Sequence, residues 1–267
     1  MRKSAVIGIN NQPAKGQTAP YTSLNEISTV SFLHKLTKVT LPHCFVLSLF
    51  SVFMLYSTSV FSAPVGHAPW VGDTLKGAPC KGGMENFGPF DYLLRNQLPG
   101  QLSIVEKHHF NPQVEQLIKG QNSISPLGDI DYTLMAWPNH HRALYSTIRH
   151  RINTWPDGHP SHYTPAECYL QRAIKFSPND ATTHMLYGIL LHQTGHQQKA
   201  LELYEKAIEL DPHNPQIQYN LALLLVDLKK YTEARTYATS LYKRGFPLPG
   251  LRDKLKAAGQ WSSGDNQ

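Results

Sequence analysis

Residues Ala181 to Asn214 read ATTHMLYGILLHQTGHQQKALELYEKAIELDPHN, and their pattern decides the fold. Apolar residues recur at helical spacing in two blocks, before and after Gly195. Small residues stand at Gly188, Ala200 and Ala207, large ones at Tyr187, Leu191 and Tyr204, and Pro212 follows the second block. A glycine just past a helix end takes the left-handed conformation without a Cβ penalty, and a proline cannot continue a helix. The stretch therefore predicts two antiparallel helices joined by a tight turn. Such a unit cannot bury its apolar face alone, so neighbouring copies must stack.

The register continues on both sides. A shift of 34 residues towards the N-terminus lands on Ala166, Ala173 and Pro178 within PAECYLQRAIKFSPND. That segment predicts a second helix. Its partner is interrupted by Pro156, Pro160 and Pro165, so a helix from Asn139 to about Ile152 is expected to serve, with an inserted loop carrying Trp155, His159 and His162. The same shift towards the C-terminus meets Leu221, Ala222 and Leu225, then Ala234 and Ala238, with Asn214 as N-cap and Pro215 as the first helical residue. Drift appears there: Leu241 replaces the second alanine, the proline comes one late at Pro247, and Lys229 stands where Gly195 stood. Pro247 to Trp261 predicts a capping helix with Leu248, Leu251 and Leu255 inward and Arg252, Lys254 and Lys256 outward.

A 34-residue period with these alanines and a terminal proline resembles the tetratricopeptide (TPR) repeat. The expected fold is all-α: a short helical solenoid of about two and a half repeats spanning 139–261. An irregular segment, 63–138, covers one end, the capping helix covers the other, and 262–267 is a tail. DIDYTLMAWPNHHRAL followed by PLPGLRDKL is also similar to a set of exported bacterial TPR proteins, a resemblance that supplies no activity.

The resemblance implies a scaffold rather than an enzyme, with first helices lining a concave groove for a protein or peptide. In this register the groove residues are Met185, Ile189 and His192 from one repeat and Tyr219, Asn220, Leu223 and Val226 from the next, beside Thr182 and Gln216. TPR domains that clamp a peptide carboxylate use Lys or Arg with Asn. Here Asn220 alone matches, so apolar recognition of an extended or helical peptide is expected.

The first 62 residues read as leader rather than fold. Residues 1–40 are rich in Ser, Thr, Asn and Gln without periodicity. Lys35 and Lys38 precede the apolar run Cys44 to Tyr56, and STSVFSAP follows, which fits a secretory signal cut after Ser62. The run is short of the roughly 20 residues that a membrane span needs, and an uncleaved anchor is the alternative. The expected location is the periplasm or the exterior of a bacterium, or the inner membrane facing the periplasm. Export leaves Cys80 and Cys168, an even pair in an oxidising compartment, as a candidate disulfide; two unpaired buried cysteines are the other reading.

Charge excludes one class of partner. Of the formal +6, five basic residues and one acid precede Ala63, leaving 20 basic and 18 acidic residues beyond it. That balance gives no support to nucleic-acid binding.

Asp129, Asp131, His140 and His141, in GDIDYTLMAWPNHHRAL, are the candidate metal ligands or acid-base groups of an alternative hydrolytic reading. Adjacent histidines on a helix diverge by about 100°, and no ligand motif fixes the spacing. The residues fit structural duties as well: the aspartates on turn or helix-end N–H groups, Asn139 as an N-cap, one histidine facing the core. Upstream, Asn111, Pro112 and Gly120 predict a helix from Pro112 to Lys119. Nothing in the sequence calls for a cofactor.

Overall fold

Two helices per 34 residues is the plan of the C-terminal half. In the computed structural model, which describes residues 67–84, 87–155 and 163–262, these are α6 (Ala181–Gln193) with α7 (Gln197–Leu210) and α8 (Pro215–Asp227) with α9 (Tyr231–Lys243). The starts of α6 and α8, and of α7 and α9, are one period apart. Before them come α4 (His141–Thr154) and α5 (Ala166–Phe176), and α10 (Gly250–Ala257) closes the end. The predicted leader and signal lie outside the described residues, as do 156–162 of the inserted loop. No helix among the described residues is long and apolar enough to cross a membrane.

Local chemistry sets these boundaries. Asp180 accepts from the N–H groups of Thr182 and Thr183, and Asn214 from those of Gln216 and Ile217, with Pro215 as the first helical residue. The turns that end α6 and α8 are copies. Gly195 and Lys229 both take positive φ, 84° and 61°. The following N–H then reaches back five residues in each case, His196 to Leu191 O and Lys230 to Leu225 O, both at 2.8 Å.

Helices approach closely where the side chains are small. Ala200, Ala207, Ala222, Ala234 and Ala238 are fully buried, and a Cβ on Gly188 would meet the buried Tyr204 ring at 2.7 Å. First helices α4, α6, α8 and α10 form one row, second helices α5, α7 and α9 pack on it, and one apolar core runs through both. At the C-terminal cover Leu251 and Leu255 are buried and Leu248 is half-buried. Tyr242 donates its hydroxyl to Leu248 O and accepts from Arg252 N–H, fixing the approach to α10.

The N-terminal cover has two parts. Residues 67–84 lie along α5: Arg172 Nε donates to Ala68 O, Gln171 Nε2 to Asp73 O, and Leu75 N–H to Glu167 Oε1. Cys80 and Cys168 are joined in a disulfide across 88 residues. The second part holds a 3₁₀ turn at Tyr92–Leu94, then α1 (Pro99–His109), α2 (Pro112–Glu115) and α3 (Pro126–Ala136). Trp137 is fully buried there against Phe90 and Tyr92.

Two expectations are corrected in this region. The helix from Pro112 to Lys119 ends at Glu115, because Leu117 turns left-handed (φ 63°) and Ile118 N–H closes on Gln113 O. Gly120 serves a later bend, where a Cβ would meet Ser123 O at 1.9 Å. The second correction concerns Asn139, which caps nothing. It accepts from Tyr92 N–H and donates to Asp91 and Asp180, and His140 caps α4 instead by accepting from Ala143 N–H at 3.1 Å.

Candidate functional site

The four acid-base candidates have four separate partners. Asp129, fully buried, accepts from the N–H groups of Gln121, Asn122 and Ser123 and meets His109 Nδ1 at 2.9 Å, so it organises the loop into α3. Asp131 accepts from the Tyr169 hydroxyl. His140 Nε2 lies 3.0 Å from Glu106, and His141 Nε2 lies 2.7 Å from Asp180. Of the expected structural duties, Asp129 performs its own on turn N–H groups and Asp131 does not. No group of three or more metal-ligating side chains converges among the described residues, and these four in particular do not share a point.

What the histidines build is the seam between cover and array. His140 Nδ1 accepts a backbone N–H, so its proton sits on Nε2 and is donated to Glu106. Complete burial pushes its pKa below the ordinary 6.5, opposed by the Glu106 bond. Arg142 joins Glu106 to Glu115, approaching them at 3.3 and 2.9 Å. Burial alone would raise Asp180, but His141, Asn139 and Thr183 hold it below the usual carboxylate value. Asp180 therefore satisfies the start of α6 and the entry to α4 together.

The row of first helices carries the predicted groove. Met185, Ile189, Tyr219, Asn220, Leu223 and Val226 lie on it, and all six are buried. They fill space between first helices rather than present an apolar surface. Asn220 Nδ2 lies 3.6 Å from Met185 sulfur, and the Tyr219 ring packs 5.0 Å from Phe246 beneath Gly250. His192 meets Asp227 at 2.8 Å, and Lys254 of the capping helix shares that carboxylate.

Of the predicted groove positions, Thr182, His192 and Gln216 are half-buried. Both amide atoms of Gln216 and Oδ1 of Asn220 are shielded from solvent without a hydrogen bond among the described residues. The two residues are one turn apart on α8, and Asn220 Nδ2 donates to Gln216 O.

Sequence reading missed Asp180, Glu106 and Tyr169. Only Asp180 left a signal: it immediately precedes the first helical residue of the best repeat, where an N-cap belongs.

Residues 188–229 match the family model of the TPR repeat. Over 103 residues, 39% of this chain, the sequence is 31% identical to human "Protein O-mannosyl-transferase TMTC3", and the match spans 11% of that protein. The 34-residue register, the stacked helix pairs and the match over 188–229 identify TPR repeats in the C-terminal half of this chain.

Proposed function

We propose that the chain is an exported scaffold that holds a segment of another protein along the row α4, α6 and α8, binding it without converting it. TPR repeats are protein-interaction scaffolds, and the observation that carries the finer reading is the Gln216–Asn220 pair. A buried polar group left without a partner costs about 1–3 kcal/mol. A peptide backbone, with N–H and C=O at every residue, offers partners to both amides. The buried apolar residues of the row then form its floor and fix the spacing of its polar groups.

Export is supported by the basic flank, apolar run and small-residue exit before Ala63, and by a disulfide that suits an oxidising compartment. On this reading the chain works in the periplasm or outside the cell. Retention by an uncleaved apolar run would place the same scaffold on the membrane surface.

Chemical cross-linking of the chain in its own cell envelope, with wild type beside Gln216→Arg, tests the groove. The wild type is expected to trap a partner that the variant loses while both melt at the same temperature. Equal trapping by Gln216→Arg would move recognition off this row.

A further inference from the structure

A cavity of about 190 Å³ lies between α3, α4, the end of the first cover segment and the start of α5, and neither α6 nor α8 is among its walls. Its polar lining is Asp131, Thr147, Tyr163, Thr164 and Tyr169, and Leu127 and Ile130 supply apolar wall. Asp131 also borders a second cavity of about 270 Å³ that shares Gly83 and Gly128 with the first. One carboxylate thus stands at the meeting point of two hollows.

The hydroxyl hydrogens of Tyr169, Thr147 and Thr164 are already committed within the protein. Tyr169 donates to Asp131 Oδ1, Thr147 to Leu144 O at 2.7 Å, and Thr164 to Lys81 O at 3.4 Å. A hydroxyl whose hydrogen is spent offers only lone pairs. The second oxygen of Asp131 likewise accepts from no described residue, and no described cation forms an ion pair with the carboxylate. Arg172, the basic residue that acts on Asp131 from a distance, directs Nε to Ala68 O and Nη1 to Leu134 O. The walls therefore combine a negative charge, further acceptors and aromatic rings. That set matches a ligand rich in donors and carrying positive charge.

We propose that the cavity is a binding site for a primary ammonium group on a short aliphatic stem, its N–H donors shared between Asp131 and the threonine and tyrosine oxygens. Leu127 and Ile130 receive the stem. The same chemistry is offered by a lysine side chain of a partner protein and by a free alkylamine.

Isothermal titration of the purified chain with n-pentylammonium, 1-pentanol and Nα-acetyl-lysine methylamide tests the site. Pentylammonium is expected to bind saturably, with no detectable binding of pentanol. Asp131→Asn, which keeps an acceptor for Tyr169, should weaken the amine at least tenfold at an unchanged melting temperature. Tyr169→Phe should bind the amine no more weakly than wild type, because the lost hydroxyl acceptor is replaced by Asp131 Oδ1, which that hydroxyl had held. Binding of the lysine derivative marks a protein side chain as the ligand, and binding of pentylammonium alone marks a free amine. Pentanol binding equal to the amine, undiminished affinity in folded Asp131→Asn, or no saturable amine binding would each overturn the proposal. Should Asp131→Asn fail to fold, the comparison of pentanol with pentylammonium on wild type and Tyr169→Phe decides it.

Discussion

Lys229 occupies a conformation that costs an L-residue about 1–2 kcal/mol, and it does so because the turn after α8 closes with the same bonds as the turn after α6. Its side chain is exposed, so nothing else changes when it is removed. Lys229→Gly is expected to stabilise the protein by roughly 0.5–1 kcal/mol, the conformational gain less the extra entropy of the unfolded glycine. A urea titration checks it through a higher midpoint at constant slope. Gly188 is the reverse case. An alanine Cβ would sit 2.7 Å from the Tyr204 ring, which is fully buried and has no room to withdraw. Gly188→Ala should cost about 1–3 kcal/mol by overpacking, against the usual gain from replacing a helical glycine. A melting temperature above that of wild type would show that α6 and α7 yield there.

The element on which cover and array depend is α4, whose first residues are held by buried acid-base pairs. His140 must stay neutral to accept Ala143 N–H, and its folded pKa lies below the ordinary 6.5. The unfolded chain therefore binds more protons than the folded one over that interval. The stabilisation is fully present above 6.5 and is lost as pH falls through the folded value. Asp180, also lowered, loses its contribution in the same direction at more acid pH, below its unfolded 3.8. His140→Asn keeps an N-capping side chain but does not titrate. Unfolding free energies of wild type and variant should run parallel above about pH 7 and converge as pH drops below 6.5, and curves parallel throughout would remove His140 from the seam. This region was also the least legible in sequence. The helices α6 to α9 were readable because period, cap residues and small-residue positions all agreed. The end of α2 was not, because Leu117 turns where no glycine announces it, and Asp129 then gathers the loop from the next helix. Asn139 looked like a cap and was recruited by Asp91 and Asp180 across 48 and 41 residues, a tertiary choice that no local pattern records. At the site, the groove positions lay on the row expected from the register, but their burial followed from how closely the first helices approach.

Across the molecule, a solenoid this short draws much of its stability from its two ends. The C-terminal end is covered by residues adjacent in sequence, so closing it costs little chain entropy. The N-terminal end is different, because residues 67–84 return to α5 over a loop of 88 residues. Contacts such as Leu75 to Glu167 and Arg172 to Ala68 must offset that loop closure, and the disulfide relieves them of it. In the chain-entropy limit a cross-link over this separation contributes about 4–5 kcal/mol. Against a typical stability of about 5–15 kcal/mol, that is a large share. Replacing both Cys80 and Cys168 by Ser should therefore lower the urea midpoint strongly and make stability indifferent to reductant, whereas wild type should fall to near the variant's value when reduced before unfolding. Cys168 is fully buried, so reduction should be slow in native buffer and fast once urea opens the segment. A loss below about 1 kcal/mol would mean that the unfolded chain keeps the cover near α5 without the bond, and residual denatured-state structure would replace loop entropy as the account of this end.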